Sequence, residues 1–447
     1  MKIPIKEKIG YSIGEYAGSL VWQTLIFFLP VFYTDTYGLS TAEVGTLFIV
    51  VRLFDSMIDP IMGSIADRTN TRWGKFRPYI LFMALPYGIA GMIMFTTPDL
   101  SHVGKLIYAY TTYNIMMIIY SMMMVPYNSL SGVISSDSDE RTSLSSYRFV
   151  VAYAAGISIQ WTLFPLVKYF GQGNDAIGYK RTMGIVSLIC IICFIVTFVT
   201  TKERVQPDPN VKTSMKHDLK DLLSNKPWLI LFSLSFITLV FLSIRGAVIV
   251  YYFAYYIGNK NLSAAFMALG TFLTLLGVLP TRWLSQRFSK RMLLIVCYSI
   301  VAIATIVSFW MKSEDIVLIF TLYFIYSLGC GPIIPLLWSM YADSVDYSEW
   351  KTGRRATGLT FAAATFGQKA GNALGSAIAM WILYYFGYKA NIVQSLDSIL
   401  GIKLVFSIAP VLFIIAAVGF SAFYKLDRNT MQKVEVELNK RKGITII

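Results

Sequence analysis

The sequence predicts an all-α membrane protein with twelve transmembrane helices in two six-helix bundles. Hydrophobic residues make up 55% of its 447 residues and charged residues only 14%, whereas soluble domains carry about 25% charged residues. The mean hydropathy is +0.58, and the apolar residues lie in long uncharged runs. This composition excludes an ordinary soluble enzyme, a disordered chain and a small disulfide-linked scaffold.

Uncharged runs of spanning length recur along the whole chain. Eleven stretches without Asp, Glu, Lys or Arg approach or exceed the ~20 residues that cross a bilayer. They cover residues 16–34, 78–98, 106–136, 149–167, 182–201, 227–244, 261–281, 292–311, 316–342, 370–388 and 404–424. A twelfth predicted span lies between Glu43 and Asp67, where Arg52, Asp55 and Asp59 interrupt the apolar pattern.

Positive charge is unevenly distributed among the predicted loops. The chain has 39 Lys and Arg residues and a net charge of +14. Most of these residues fall in the two terminal segments and in every second connection between spans. Because positive residues accumulate in cytoplasmic loops, both termini are expected in the cytoplasm, with the helices in the cell inner membrane. The same distribution explains the basic composition without a nucleic-acid partner.

The longest polar segment, residues 202–226, follows the sixth predicted span. It predicts a cytoplasmic linker between an N-terminal bundle, residues 1–201, and a C-terminal bundle, residues 227–447, which ends in a short cytoplasmic tail. The two bundles also share a short pattern at equivalent span ends, since Gly38 before Leu-Ser corresponds to Gly258 before a later Leu-Ser. Two parallel six-helix halves are typical of major-facilitator transporters, which bind substrate between the halves near the midplane.

The second predicted span carries Arg52, Asp55 and Asp59, which share one helical face because they are three and four residues apart. An ionisable group at membrane depth costs roughly 2.5–3.5 kcal/mol, so these residues are functional candidates. Two carboxylates one turn apart can hold a small cation between oxygen ligands, or share a proton. The alternative is a structural ion pair, although one arginine cannot neutralise two acids.

Basic residues also lie inside spans of the second half. Lys369 is surrounded by Gly367, Gly371 and Gly375, whose four-residue spacing allows a neighbouring helix to approach closely. We expect its ammonium group to point into a central cavity, with snorkelling to the interface as the alternative. Arg245 lies nearer a span end, where snorkelling and a buried position are both open.

Polar and aromatic side chains cluster in the fourth span around Pro126. Tyr120, Ser121, Tyr127 and Asn128 place hydroxyl, amide and ring groups at membrane depth. Such groups suit a polyhydroxylated ligand, because flat rings stack on sugar faces. Helix packing around a proline kink is the alternative for each of them.

Longer strings resemble the signatures of one transporter family. Residues 55–63 read DSMIDPIMG, and they are followed by DRT at 67–69 and RWGKFRPY at 72–79. Further matching strings are GYSIGE at 10–15, YTD at 33–35, PYNSL at 126–130, ADSVDYSEWK at 342–351 and FGQK at 366–369. In this order, and over nearly the whole length, the chain resembles the melibiose-permease-like family of glycoside–pentoside–hexuronide:cation symporters, which have the major-facilitator fold.

The resemblance implies a cation site next to a substrate site. Asp55, Asp59 and Ser121 match cation-site positions, and Arg52 belongs to the same charge network. The candidate substrate-binding residues are Glu15, Ser19, Tyr120, Met124, Asn128, Arg148, Gln368 and Lys369. Ser19 and Met124 stand where galactoside-binding members carry acids, which argues against a galactoside. Ile58 replaces an asparagine beside the second acid, and the lost amide oxygen favours H+ over Na+ as the coupling ion.

Charged residues at the predicted cytoplasmic span ends form a candidate gate that closes when the substrate site faces outward. Its members are Asp67, Arg68, Arg72, Lys75, Arg141, Asp343, Asp346, Glu349 and Arg355. Topology alone is the alternative explanation for these charges.

The sequence therefore predicts a secondary active transporter that imports a sugar or glycoside together with a monovalent cation by alternating access. One alternative is the same fold and coupling with a non-sugar amphiphile such as a lysolipid. A remote alternative is a membrane enzyme, but only two histidines occur, both in predicted loops. We expect a monomer in the lipid bilayer, with H+ or Na+ as the coupling ion, no cofactor, and no metal site beyond a possible Na+ site.

Overall fold

A computed structural model describes residues 3–135, 138–204, 224–352, 357–426 and 428–441. The first half contains α1 (Ile5–Phe27), α2 (Thr41–Arg68), α3 (Arg77–Met94), α4 (His102–Ile134), α5 (Ser138–Gly171) and α6 (Asp175–Thr200). The second half contains α7 (Lys226–Tyr251), α8 (Leu262–Val278), α9 (Lys290–Val307), α10 (Ile316–Cys330 and Ile333–Thr352), α11 (Thr357–Tyr385), α12 (Leu396–Phe406 and Ile408–Phe423) and α13 (Arg428–Arg441). Within the described ranges there is no β-strand ladder, only one isolated bridge between Thr71 and Gly74.

Most of these helices have the length and composition of membrane spans. Among the described residues, eight are long and apolar enough to cross a membrane, and ten if each of two bent pairs is one span. Two further helices, α2 and α11, have 28 and 29 residues and are therefore also of spanning length at about 1.5 Å per residue. The all-helical membrane fold is confirmed, and these helices are compatible with the twelve predicted spans.

Polar residues at the helix starts explain where the spans begin. Ser40 accepts a hydrogen bond from the Glu43 N–H, and the Glu43 carboxylate accepts one from the Ser40 N–H, so α2 begins with a capping box. His102, the first residue of α4, places Nε2 2.7 Å from the same Glu43 carboxylate. The Glu43 carboxylate thus accepts a hydrogen bond at the start of α2 and also connects α2 to α4.

The chain divides into two compact units. The first comprises Met1–Pro209, Gly246–Thr271 and Ala377–Gly401, and the second comprises Asn210–Arg245, Phe272–Ser376 and Ile402–Ile447. In the first unit, α1 packs against α5 and α6, α3 packs against α4 and α6, and α2 packs against α4. In the second unit, α9 packs against the first part of α10 and the second part of α12.

The short pattern shared by the two halves corresponds to a shared backbone turn. After α1, the Tyr37 N–H donates to the Phe32 carbonyl and the Leu39 N–H to the Tyr33 carbonyl; after α7, the Ile257 N–H donates to Tyr252 and the Asn259 N–H to Phe253. Gly38 and Gly258 have positive φ angles of 83° and 78°, which glycine adopts without steric cost. The turns Phe32–Thr36 and Tyr252–Tyr256 are both π-helical, so the duplication extends to backbone hydrogen bonding.

Glycines allow α11 to approach α7 closely within the second unit. A Cβ atom on Gly371 would lie 2.3 Å from the Phe236 carbonyl oxygen, and one on Gly375 would lie 2.3 Å from the Val240 carbonyl oxygen. The spacing of four residues on both helices is the geometry that the glycine pattern predicts. Lys369 lies two residues from Gly371, and therefore on the opposite side of α11 from α7.

Arg245 is buried within the second unit. Its side chain is 2% exposed, and Nη1 donates a hydrogen bond of 2.9 Å to Thr305 Oγ1. Its guanidinium carbon lies 4.1 Å from the ring centroid of Tyr326, 4.4 Å from that of Phe406 and 5.6 Å from that of Tyr323. The sequence left open whether Arg245 snorkels to the membrane interface or is buried. The structure shows that it is buried, with aromatic rings around its guanidinium group.

Replacing Arg245 with Ala is expected to lower the melting temperature of the purified transporter. The variant loses cation–π contacts worth about 2 kcal/mol in a desolvated site, together with the packing of the side chain. Arg245→Lys should lose less, because it keeps the charge without the planar stacking. Thermal unfolding in detergent measures this, with Arg181→Ala at an exposed position of α6 as the control. An unchanged melting temperature for Arg245→Ala would show that these contacts contribute nothing.

Candidate functional site

The acids of α2 point toward the protein interior. Leu53, Phe54 and Met57 are 47%, 50% and 67% exposed and form an apolar face, whereas Arg52 and Asp55 are 3% and 2% exposed on the opposite face. In a membrane-spanning helix, an exposed apolar face is the side that meets lipid. The predicted orientation of the charged face, away from the acyl chains, is therefore what the structure shows.

Asp55, Asp59 and Ser121 meet between α2 and α4. Ser121 Oγ lies 2.7 Å from Asp55 Oδ1 and 2.7 Å from Asp59 Oδ1. Ser121 and Asp55 are buried, while Asp59 is half-buried. Three oxygen atoms from two helices thus converge at one point, and we call them the carboxylate–serine cluster.

Ser121 cannot donate a hydrogen bond to both acids at once when both are ionised. A serine hydroxyl has one proton, so it can donate to only one of two carboxylate oxygens at a time. The second short contact becomes favourable when one carboxyl is protonated and donates to Ser121 Oγ, or when a cation lies among the oxygens. Oxygen is the ligand that hard cations prefer, so this donor set fits a small hard cation or a proton.

Replacing Ser121 with Ala is expected to lower the affinity for the coupling cation about tenfold. The occupied cluster gains one more favourable contact to Ser121 than the empty cluster, and one hydrogen bond to a charged group is worth about 1.5 kcal/mol. The half-saturating Na+ concentration should rise about tenfold if Na+ is the ion, and the pH dependence of uptake should shift about one unit lower if H+ is the ion. Ser129→Ala, on an exposed position of the same helix, should leave both unchanged. If Ser121→Ala leaves the cation dependence of uptake unaltered, the Ser121 hydroxyl does not take part in cation binding.

Arg52, which shares the charged face of α2 with the two acids, contacts aromatic side chains. Its Nε donates a 3.1 Å hydrogen bond to the Tyr113 hydroxyl, and its guanidinium carbon lies 5.3 Å from the centroid of the Trp22 ring. The Trp22 ring is in turn 5.5 Å from the ring of Tyr120, which directly precedes Ser121. The predicted substrate residue Tyr120 therefore lies next to both the carboxylate–serine cluster and a tryptophan of α1.

A second charged group lies between α1 and α5. Arg148 Nε is 2.5 Å from Glu15 Oε2, and the Ser19 hydroxyl donates to Glu15 Oε1 at 3.3 Å. The Arg148 guanidinium lies 5.4 Å from the Tyr127 ring centroid, and that ring stacks on Tyr11 at 4.6 Å. Three predicted substrate residues, Glu15, Ser19 and Arg148, are thus brought together as one hydrogen-bonded group.

The remaining predicted substrate residues occupy different surroundings. Met124 is 6% exposed, and a Cβ atom on Gly18 would lie 2.6 Å from its Cε, so it fills the space between α1 and α4. Asn128 is exposed on α4. Gln368 and Lys369 are half-buried on α11 in the second unit, and their role in binding stays a prediction.

Three of the predicted cytoplasmic gate residues make contacts within their own units. Arg72 lies over the Trp73 ring at 4.5 Å, the Lys75 N–H donates to Glu203, and Asp343 pairs with Lys290 at 2.6 Å. Arg68 is exposed, and Asp346 and Glu349 are half-buried. Arg355 and the side chains of Asp67 and Arg141 lie outside the described residues, so the gate stays a prediction.

Two acids that bind the start of the linker to the first unit were not predicted from the sequence. The Glu203 carboxylate accepts hydrogen bonds from the backbone N–H groups of Lys75, Phe76 and Arg77 at the start of α3. Glu7 binds Arg204 through both terminal nitrogens, and this hydrogen bonding raises the pKa of the Arg204 guanidinium above its ordinary value. The signal available was an acid–base pair, Glu203 and Arg204, at the end of an apolar run.

Two uncharged residues of α1 were also missed. Trp22 lies beside Arg52, and Gln23 lies 3.4 Å from the Gln160 amide, which accepts a hydrogen bond from Thr271. Glu15, Ser19 and Trp22 repeat at four and three residues on one half-buried stripe of α1. That helical spacing of polar and aromatic residues was the signal that could have identified Trp22.

Fold and site together define a membrane transporter of the major-facilitator type. The chain belongs to the MFS/sugar transport protein family, whose family model matches residues 10–428. The family resemblance of the sequence strings is thereby confirmed.

Named relatives and solved structures are similar over nearly their full lengths. The putative glycoside/cation symporter YagG of Escherichia coli (strain K12) is 36% identical over 446 residues, which are 99% of this chain and 96% of that protein. The isoprimeverose transporter of Lactiplantibacillus pentosus is 34% identical over 432 residues, or 95% and 90% of the two chains. A crystal structure of a bacterial homologue of the human lysosomal transporter Spinster has a TM-score of 0.72 at 15% identity, covering 97% and 99% of the two chains, and shows the shared fold.

Proposed function

We propose that this protein is a secondary active transporter that imports a sugar or glycoside in symport with a monovalent cation, H+ or Na+. The observation that carries the proposal is the carboxylate–serine cluster, in which Ser121 Oγ lies 2.7 Å from an oxygen of each acid. A proton or cation among these oxygens makes both short contacts to Ser121 favourable and reduces the negative charge of the two acids. Its arrival therefore lowers the cost of enclosing the substrate in a dry cavity.

Coupling follows when each ligand favours the state that binds the other. The cation cluster and the substrate residue Tyr120 are adjacent on α4, so occupation of one changes the surroundings of the other. Moving one positive charge inward through 100 mV supplies ~2.3 kcal/mol, enough for roughly 50-fold accumulation of the substrate. We assign this step to alternating exposure of one site to the two sides of the membrane.

A polyhydroxylated substrate fits the polar and aromatic groups on α1 and its neighbours. Glu15 and Arg148 offer a hydrogen-bond acceptor and donors, while Trp22 and Tyr120 offer ring faces for a sugar to stack on. The names of the relatives, a glycoside/cation symporter and an isoprimeverose transporter, support a sugar-type substrate. We extend the candidate surface to Gln368 and Lys369 of α11.

We place the transporter in the cytoplasmic (inner) membrane as a monomer with both termini in the cytoplasm, because basic residues predominate in the terminal segments and alternate loops. Its partners are the sugar, the cation and the bilayer. The named relatives are transporters or symporters, and the proposal includes no catalytic step.

Uptake by purified protein in proteoliposomes tests this function. A panel of radiolabelled mono- and disaccharide glycosides is offered under an inward Na+ gradient, an inward H+ gradient, or neither. At least one sugar should accumulate above its external concentration under one of the gradients only. A labelled lysolipid in the same panel separates the alternative substrate class. Accumulation of the lysolipid and of no sugar, or uptake of every sugar at equal rates with and without gradients, would contradict the proposal.

A further inference from the structure

Asp35 is the centre of a second polar cluster in the first unit, one residue before the end of the π-helical turn that follows α1. Its Oδ2 accepts a hydrogen bond from the Tyr255 hydroxyl at 2.6 Å, and its Oδ1 accepts one from the Tyr388 hydroxyl at 2.8 Å. Thr34 Oγ1 also donates to Oδ1, at 2.6 Å. Asn391 completes the cluster by donating its side-chain amide to the Asp35 carbonyl oxygen at 2.6 Å.

The cluster connects segments that are distant in sequence. Tyr255 belongs to the π-helical turn after α7, whereas Tyr388 and Asn391 follow the end of α11. Because the hydrogen-bond pattern of residues 32–39 repeats in residues 252–259, Asp35 and Tyr255 occupy equivalent positions of the two repeats. The two halves therefore meet at corresponding residues, one an acceptor and the other a donor.

The chemistry of the cluster suits a contact that forms and breaks. Within the described part of the chain, Asp35 has no ion pair, so its negative charge is held by neutral hydroxyl donors. Hydrogen bonds to a carboxylate are charge-assisted and short, which makes them strong while the site is dry. Water can replace each hydroxyl without leaving an unpaired basic group behind, so opening costs less than separating a buried ion pair.

Close packing continues from this cluster toward the membrane interior. The Tyr251 hydroxyl lies 2.8 Å from Thr34 Oγ1. Further along, a Cβ atom on Gly45 of α2 would lie 2.9 Å from Trp381 Nε1 and 3.1 Å from the Ala377 carbonyl oxygen, both on α11. Ala377 is fully buried. Within the first unit, these contacts join segments from the two halves of the sequence near Asp35.

We propose that Asp35, Tyr255 and Tyr388 form the extracellular gate of the transport cycle, closed when their hydrogen bonds are made and open when water replaces them. This inference rests on the proposed transport function, because a gate has meaning only for a protein that alternates between two sides. The three residues are positioning residues. They set the population of the outward-closed state and do not contact the substrate.

Accessibility of a buried cysteine tests the gate without any substrate. Ala377→Cys places a thiol beneath the gate, and labelling by a membrane-impermeant maleimide is measured on the outside of right-side-out vesicles against the parent protein. Adding Asp35→Asn should raise the labelling rate of Cys at 377 about tenfold, the order expected for losing one charge-assisted hydrogen bond. The double variant Tyr255→Phe/Tyr388→Phe should do the same, which keeps the test available if Asp35→Asn does not fold.

Two controls separate gating from general loosening. Tyr384→Phe removes a hydroxyl from an exposed position of α11 near the same end and should leave labelling unchanged. Ala417→Cys, fully buried on α12 in the second unit, should stay protected in every gate variant. Unchanged labelling at 377 in the gate variants, or an equal rise at 377 and 417, would overturn the gate. Faster labelling at 377 in a protein that transports no sugar would uphold the gate and refute the proposed substrate.

Discussion

Replacing Asp59 or Asp55 with Asn should abolish accumulation of the sugar while sugar exchange continues. Each amide keeps the size of the side chain and one oxygen, but it cannot take a proton and holds a cation poorly. The occupied cluster then lacks the charge that a gradient drives, so the roughly 50-fold accumulation available at 100 mV should fall to equilibration. The measurement is the ratio of internal to external sugar at steady state in proteoliposomes, followed by exchange of labelled against unlabelled sugar.

The accumulation measurement and the exchange measurement answer different questions. Retained exchange shows that the variant folds, binds sugar and still alternates, so the lost accumulation is a coupling defect. Asp175→Asn, at an exposed position in the first turn of α6, removes an acid of the same kind away from the cluster and should accumulate sugar normally. Full accumulation of the sugar by both Asp55→Asn and Asp59→Asn would show that neither acid is needed for coupling.

Replacing Arg148 with Ala should reduce sugar uptake more than tenfold and also destabilise the protein. Glu15, whose side chain is 13% exposed, would lose its positive partner, and an unsatisfied charged group in such a position costs about 1–3 kcal/mol or more. The double variant Glu15→Gln/Arg148→Gln removes both charges and should recover most of the melting temperature. Uptake should stay low in the double variant, because both groups that we propose to bind the sugar are still altered.

An ion pair of similar exposure provides the control for this prediction. Lys8 lies 2.8 Å from Glu140, with side chains 11% and 15% exposed. Lys8→Ala should lower the melting temperature without a tenfold loss of uptake. If the double variant at Glu15 and Arg148 recovers uptake together with stability, the pair only supports the helices and does not bind substrate.

The shared buried face of the charged residues on α2 could be predicted from sequence because helical periodicity alone determines it. Arg52, Asp55 and Asp59 recur at three and four residues, and only one face of a membrane helix can carry charge. The glycine spacing on α11 similarly predicted a close helix contact, and α7 provides it. The role of Ser121 came from the family resemblance, since nothing local to α4 indicates which serine faces α2.

Contacts between distant segments could not be predicted in this way. The rings around Arg245 come from α10 and α12, and the partners of Asp35 follow α7 and α11, so neither set shares a helical period with its charged residue. Glu203 was hidden for a different reason. Its partners are backbone N–H groups at the start of α3, and every helix start offers such groups. Only the three-dimensional structure shows which helix start the carboxylate of a given acid contacts.

Cation flux that depends on sugar is the most direct test of the claim that the acids of α2 bind the coupling ion. Proteoliposomes that contain a pH-sensitive dye receive labelled Na+ outside, and the transported sugar is then added. In the wild-type protein, sugar should start an inward flux of either H+ or Na+, and Asp59→Asn should lack that flux while still exchanging sugar. Sugar entry without any cation flux in the wild type, or an undiminished flux in both Asp55→Asn and Asp59→Asn, would contradict the claim.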